Sequence, residues 1–460
     1  LTAAVELLHV IGWGLFLYRG IPRKNEDATW PLFSTRVAGR MRQAGDVHGL
    51  EGVTPGGTTQ FVPYGSFLSG RSLDLRDASQ PHFTSDRLGN AGVDAKFIIR
   101  NSVVVDATYN PDFSQVESDQ PQETLNQRFE VFFPELRSFF LENASYFNTP
   151  LNLVFTRRIV DPQAGARVTG RLGSWAFGAL ASDDRSPGEI GSSAANVADR
   201  AMVSALRVSR DVGPDGNLGL IFTGRGAPGV SNEVGGVDGR FTFARSWIAS
   251  AQTVTSVTTE SGARRTGQAS KLTLHRTGRQ LNWSLQYDDR DPDFRTDVGF
   301  INRVDVRDAA SRLSYRFRPE GRWLIAWGPD FGVEQVWDHR GLRLGTTYTP
   351  QLTLELARGT SLMVFHTFAS EVIRPADVAN LTANRAFGED QTGFSFASSI
   401  FARCVVSAAL SAGGGIDFVP PAGTAPEAAN VLNASTMLSL RATNALTVDG
   451  SYIVTRVRDR

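Results

Sequence analysis

Hydrophobic and polar residues alternate along much of this 460-residue chain. The clearest case is residues 341–357, where the apolar positions are Leu342, Leu344, Tyr348, Leu352, Leu354 and Leu356. The same period of two recurs at 93–100, 103–110, 166–181, 217–225, 270–276, 281–288, 312–318, 321–337 and 446–456. Such alternation predicts β-strands with one apolar and one polar face. The longest stretches exceed the roughly five to six residues usual in soluble strands.

Connections of two kinds separate the predicted strands. Short turn signals include Thr277-Gly278, Pro319-Glu320-Gly321 and Arg358-Gly359, whereas longer polar or Pro/Gly-rich segments lie at 182–198, 225–237, 374–390 and 419–430. Short turns at one end and long loops at the other are the outer-membrane pattern. We therefore predict a transmembrane antiparallel β-barrel of about 20 strands, within a range of about 18 to 22. A soluble all-β protein, such as a propeller or stacked sandwiches, is the alternative.

The amino-acid composition excludes several classes of protein. The chain has 47 basic and 47 acidic residues and so lacks the basic excess expected of a nucleic-acid-binding protein. Its longest apolar stretch, residues 1–18, is interrupted by Glu6 and His9, which argues against a membrane-spanning helix. The single cysteine, Cys404, excludes an internal disulfide. We expect a bacterial outer-membrane location, with outer-membrane lipid and lipopolysaccharide as partners.

Residues 110–149 break the alternation and combine carboxylates with phenylalanines. We predict that this segment is an acidic plug inside the barrel, held by arginines because guanidinium and carboxylate groups form strong paired hydrogen bonds. The acidic candidates are Asp112, Glu117, Asp119, Glu130, Glu135 and Glu142. The basic candidates are Arg100, Arg137, Arg167, Arg171, Arg312 and Arg316. An external loop that packs its phenylalanines on itself is the alternative.

Several motifs resemble a bacterial family called domain of unknown function 5916. They are VDAKF (93–97), VVVDATYNPDFSQVESD (103–119), RFEVFFPELRSFFLENASYF (128–147), VTGRLGSWAFGAL (168–180) and DVGFINRVD (297–305). The resemblance implies an outer-membrane barrel over residues 26–460 that follows a family-9-like carbohydrate-binding domain. Residues 1–25 would be the tail of that domain and the junction, so we expect the chain to be a fragment. A glycan or peptidoglycan partner would bind through the missing domain.

Motifs for catalysis or metal binding are scarce. The sequence has no HExxH, GxSxG, P-loop or dinucleotide-binding fingerprint, and we predict no enzyme activity and no cofactor. The carboxylates Asp288, Asp289, Asp291 and Asp293 offer hard oxygen ligands for a structural calcium ion, although a solvated turn is the favoured explanation. Glu135 and Glu142, among aromatic residues, are the candidates for a membrane-embedded glycan hydrolase.

These observations favour a gated or plugged channel for a polar, saccharide-related substrate. The second hypothesis is a permanently plugged barrel that anchors a periplasmic glycan-binding domain or partner. The third is the glycan hydrolase. The substrate class rests on the family resemblance, not on a binding site.

Overall fold

The computed structural model is almost entirely β-sheet. It describes residues 13–21, 26–32, 44–48, 59–74, 82–100, 102–113, 118–119, 122, 126–187, 200–213, 215–244, 246–319, 321–378, 381–401, 403–419, 424–443 and 445–459. Among these residues, no helix is long and apolar enough to cross a membrane. Glu117 lies outside the described residues, as do parts of the predicted 1–25 tail.

Two small two-stranded sheets precede the main sheet. They contain β1 (Trp13–Leu15), β2 (Leu17–Ile21), β3 (Glu26–Trp30) and β4 (Gly45–Val47), with β1 paired to β4 and β2 to β3. The strands of the main sheet are β5 (Thr59–Asp74), β6 (His82–Ile99), β7 (Val103–Tyr109), β8 (Pro162–Leu172), β9 (Trp175–Asp184), β10 (Ala201–Val212), β11 (Gly216–Ala227), β12 (Val230–Phe243), β13 (Trp247–Glu260), β14 (Ala263–Arg276), β15 (Leu281–Arg290), β16 (Val306–Tyr315), β17 (Leu324–Trp337), β18 (Arg343–Leu356), β19 (Thr360–Ile373), β20 (Arg385–Gly388), β21 (Gln391–Phe401), β22 (Cys404–Asp417), β23 (Glu427–Arg441) and β24 (Thr447–Asp459).

The only helical elements in the described part of the chain lie between β7 and β8. They are the short helix α1 (Ser138–Leu141) and two 3-10 turns, Ala144–Phe147 and Thr156–Arg158.

Except between β20 and β21, successive strands of the main sheet pair in antiparallel fashion, and β24 stands next to β5 in the strand order. The twenty described strands of this sheet confirm the predicted number of about 20. β20 and β21 both pair with β19 and are successive halves of one crossing. β5 and β24 consequently run in the same direction.

Connections differ between the two ends of the strands. At one end, here called the short-turn end, most connections are brief, for example 173–174, 213–215, 357–359 and 402–403. The opposite end, here called the loop end, carries the long connections 110–161, 185–200, 291–305 and 374–384. The predicted long loop at 225–237 is wrong, because β11 and β12 are joined there by a two-residue turn. Gly229 in this turn has a φ of 79°, which glycine adopts without the steric cost of a side chain.

The two faces of the sheet have opposite polarity. On the outer face, large apolar side chains lie exposed, among them Leu218, Leu220, Phe222, Phe331, Leu352 and Phe394. On the inner face, polar and charged side chains are buried, among them Arg207, Asn232, Asp238, Gln252 and Asp288. Arg207 and Asp238 form a bidentate pair at 2.5 and 2.7 Å, although they are only 5% and 8% exposed. A contiguous exposed apolar face of this kind is unusual on a water-soluble monomer.

Tryptophans gather at the short-turn end. Trp175, Trp247 and Trp283 each lie within the first three residues of a strand that begins at that end, and Trp323 and Trp327 flank the start of β17. Trp247 packs edge-on against Trp283 with ring centroids 5.6 Å apart. Of the tryptophans in or beside the main sheet, Trp337 alone lies at the loop end.

Candidate functional site

The connection between β7 and β8, residues 110–161, covers part of the inner face and is the strongest candidate for function. Its second half packs on β9 to β14 through two hydrophobic clusters. The first joins Phe140, Phe147 and Ile159 to Leu180, Val203 and Ala205. The second joins Leu151 and Leu153 to Ile221, Val234, Val254 and Ala269. This half of segment 110–161 is therefore fixed to the wall by apolar burial.

The loop 291–305 adds to this attachment. Phe155 N–H donates to the Val298 carbonyl at 2.8 Å, and Phe300 N–H donates to the Asn152 carbonyl at 2.9 Å. Phe132, Phe155 and Phe300 form a ring cluster with centroids 5.0 to 5.3 Å apart. The phenylalanines that distinguish the segment in sequence thus pack both on the wall and on this loop.

The first half of segment 110–161 reaches a distant part of the wall. Asn126 donates to the Ile416 carbonyl at 2.7 Å and accepts from Phe418 N–H at 2.6 Å, across about 290 positions of sequence. Arg128 forms an ion pair with Glu371 of β19, and its Nη2 lies 3.1 Å from Asp377. The segment thereby extends from β9 on one side to β19 and β22 on another.

The attachment at β19 is a charged cluster, here called the far anchor: Arg128, Arg303, Glu371, Arg374 and Asp377. Arg303 lies 3.7 Å from Glu371 and 3.6 Å from Asp377, and Arg374 binds Asp377 at 3.0 Å. Burial raises the pKa of the Asp377 carboxyl, but the hydrogen bonds from Arg374 and the charges of Arg303 and Arg128 outweigh it, so the net shift is downward. The carboxylate of Asp377 is thus held ionised between three guanidinium groups.

Most of the predicted acidic residues of segment 110–161 bind partners outside the predicted basic set. Three pair with arginines of the same segment: Asp119 with Arg157, Glu130 with Arg158, and Glu135 with Arg137. Glu142 pairs with Lys96 of β6. Asp112 lies at the start of the segment, beside the carbonyl of Asn110 that accepts from Tyr64. Glu135 therefore binds a predicted basic residue, Arg137. For Asp119, Glu130 and Glu142 the expected strand arginines are wrong, because the partners are Arg157, Arg158 and Lys96.

The predicted basic residues of the strands pair mainly with strand residues. Arg167 binds Asp106 at 2.7 Å, Arg316 binds Asp330 at 2.9 Å, and Arg171 pairs with Asp211. Arg312 donates to Gln351 at 2.8 Å. Arg167 also donates to the segment, at the Phe139 carbonyl. Arg100 lies in the exposed turn after β6 with a φ of 49°, so it does not line the inner face.

Glu135 is held by the backbone and side chains around it. It accepts from Arg137 Nη2 at 2.7 Å and from the Thr156 hydroxyl at 2.7 Å. Burial raises the pKa of this carboxyl, but the bonds from Arg137 and Thr156 outweigh burial and hold the pKa below its usual value of 4.5. A carboxyl group that acts as a general acid near neutral pH needs a raised pKa instead. Glu135 lines a cavity of about 260 Å³, and Glu142 lines a different cavity of about 160 Å³. The two carboxylates therefore do not line one cleft, as the hydrolase hypothesis would require.

The four aspartates 288, 289, 291 and 293 do not converge. Asp288 is buried on the inner face beside Lys271 and Gln286, and Asp293 lines a separate cavity with Arg295. Asp289 and Asp291 approach His339, whose Nε2 lies 2.8 and 3.5 Å from them. Arg307 already lies 3.4 Å from Asp289. Calcium takes about six to eight oxygen ligands, so two carboxylates beside an imidazole and a guanidinium fit it poorly.

Residues 59–170 match the family model described as domain of unknown function (DUF5916). This range contains β5 to β7, all of segment 110–161 and most of β8, so the resemblance drawn from the motifs is confirmed and the chain carries a DUF5916 region. No curated protein and no solved structure matches the chain significantly.

Proposed function

We propose that this protein is an outer-membrane β-barrel. The observation that carries the proposal is the inverted polarity of the sheet: Leu220 of the outer face is 59% exposed, whereas Arg207 of the inner face is 5% exposed. A strand in a membrane barrel places apolar residues toward lipid and polar residues toward the interior. The tryptophans at the short-turn end match the aromatic belt at a membrane interface.

We further propose that the barrel is a plugged channel for a polar solute and that segment 110–161 is the plug. The plug has a firm attachment and a weaker one. Its apolar half is buried on β9 to β14, whereas the far anchor consists mainly of ion pairs and hydrogen bonds. Release of the far anchor would leave the plug attached and open a path along the polar wall. A saccharide-related substrate rests only on the domain architecture that the resemblance implies.

The membrane proposal is tested by gel mobility of detergent-refolded protein with and without boiling. A membrane barrel that resists SDS until heated gives a heat-dependent shift. Refolding without detergent into a soluble protein that shows no shift would reject the proposal and favour a soluble all-β protein.

The plug proposal is tested by deleting residues 112–142 and measuring ion conductance in a planar bilayer, once the variant shows the same heat-dependent shift. We expect the deletion to raise conductance. Unchanged conductance of a correctly folded variant would reject an occluding role for the segment.

A permanently plugged anchor is the second candidate, and the apolar packing of the plug favours it. Phe140, Leu153 and Ile159 are each no more than 2% exposed, as in a fixed core. One measurement distinguishes the two candidates. Weakening the far anchor should raise the ion conductance of a plugged channel, whereas a permanently plugged barrel should remain non-conducting.

A further inference from the structure

The outer face carries a groove of about 890 Å³ across β9 to β15. Its floor is formed by small residues, including Gly239, Ala249 and Ala251, and its sides by Leu218, Leu220 and Leu272. This volume is within the range of about 300 to 1,000 Å³ found for small-molecule sites.

The strand register explains the groove. Leu218 lies opposite Gly239, Gly239 opposite Ala251, and Ala251 opposite Leu272, so one row crosses four strands. Two leucines therefore stand about 14 Å apart, three strand spacings, with only small residues between them. A β-carbon at Gly239 would approach Leu218 Cδ2 to 2.9 Å, so glycine keeps the floor open.

A cation stands at one end of this row. Arg210 lies opposite Leu218, and its guanidinium stacks over the exposed ring of Trp175 at 5.2 Å from the centroid. Both residues line the groove and lie near the short-turn end. In a membrane barrel the interface places lipid phosphates at the level of the aromatic belt.

We propose that this groove binds an anionic phospholipid, with one acyl chain on the small-residue floor and the phosphate at Arg210. The inference rests on the proposed membrane location. The apolar sides suit a hydrocarbon chain, and the guanidinium suits a phosphate, to which arginine donates two parallel hydrogen bonds. A second copy of the chain is a competing occupant that the test separates.

The test is native mass spectrometry of detergent-refolded protein with added phosphatidylglycerol or phosphatidylethanolamine. Ala251→Trp fills the floor, and Arg210→Gln removes the charge. Ala434→Trp, opposite Leu410 on the outer face of β23, is the control for bulk. Arg322→Gln is the control for charge, because Arg322 stacks over Trp323 at 5.7 Å outside the groove.

We expect wild type and both controls to retain phosphatidylglycerol, Ala251→Trp to lose about ten-fold in retention, and Arg210→Gln to lose the preference over phosphatidylethanolamine. Equal retention by all variants overturns the site, and so does a lipid-free dimer that Ala251→Trp disrupts. The heat-dependent gel shift is measured on each sample. Its absence in wild type rejects the membrane location itself, whereas its presence without lipid retention rejects only this inference.

Discussion

Arg128 and Glu371 form an ion pair although 243 positions separate them in sequence. Arg128 belongs to segment 110–161, whose other half is fixed to β9 to β14, and Glu371 belongs to β19. The pair therefore ties two parts of the wall together through the segment. Its side chains are 6% and 24% exposed, so solvent screens the interaction only in part.

The apolar attachment of segment 110–161 is expected to dominate its stability. Ile159→Ala removes a side chain that is 1% exposed, and such a truncation costs about 2 to 5 kcal/mol. Val160→Ala, at a neighbouring side chain that is 57% exposed, should have little effect. Proteolysis of the segment in the refolded protein measures both. Equal protection of the two variants would contradict the packing described.

The outer face is expected to require an apolar environment. Leu220→Arg places a charge near the middle of β11, which costs about 2 to 4 kcal/mol at the bilayer midplane. Leu446→Arg is the control, because Leu446 is similarly exposed at 52% but lies in the turn before β24. Urea titration of protein refolded into lipid vesicles gives the free energy of unfolding. Equal, small losses for both variants would argue that the face meets water.

Acid is expected to loosen both the internal hydrogen bonds of segment 110–161 and its far anchor. The pKa values of Glu135 and Asp377 are lower in the folded protein than in the unfolded chain. Each carboxylate therefore stabilises the fold above its unfolded pKa, and this contribution is lost as the pH falls through the usual value of 4.5 or 3.8 and then through the lower folded value.

The measurement for this acid response is segment proteolysis of the refolded protein between neutral pH and about pH 3, the range in which ordinary carboxyls protonate. We expect protection to fall with acid in wild type and less steeply in Glu135→Gln, which has no carboxyl at that position to protonate. Glu130→Gln, whose pair with Arg158 is more exposed, is the control. An identical acid response of Glu135→Gln and wild type would contradict the role given to Glu135.

The sequence predicts the strands well because alternation is a local property of each strand. Leu352 and Leu354 are apolar at every second position and lie in β18 as expected. The prediction of a long loop at 225–237 is wrong because glycines such as Gly226 and Gly229 suggested that the strand was interrupted. In the structure, only two residues connect β11 and β12.

The contacts of the candidate site were less predictable. The charge and aromatic content of segment 110–161 single it out, but the partners of Asp119 and Glu130 are local arginines at 157 and 158, beyond the predicted segment boundary of 149. The sequence around Glu371 and Asp377 does not indicate that they bind Arg128, because only the fold brings these residues together. Alternation along β19 predicts the face of the strand on which Glu371 lies, but it does not identify Arg128 as its partner.

The most direct test of the central claim is single-channel conductance of Arg128→Gln in a planar bilayer. Loss of the ion pair leaves Glu371 and Asp377 without one partner, which costs about 1 to 3 kcal/mol and should raise the open fraction about ten-fold or more. Arg157→Gln, which breaks the Asp119 pair within the segment, should keep the wild-type open fraction. Silence of a correctly folded Arg128→Gln barrel, indistinguishable from wild type, would contradict a releasable plug and leave the permanent anchor as the better account.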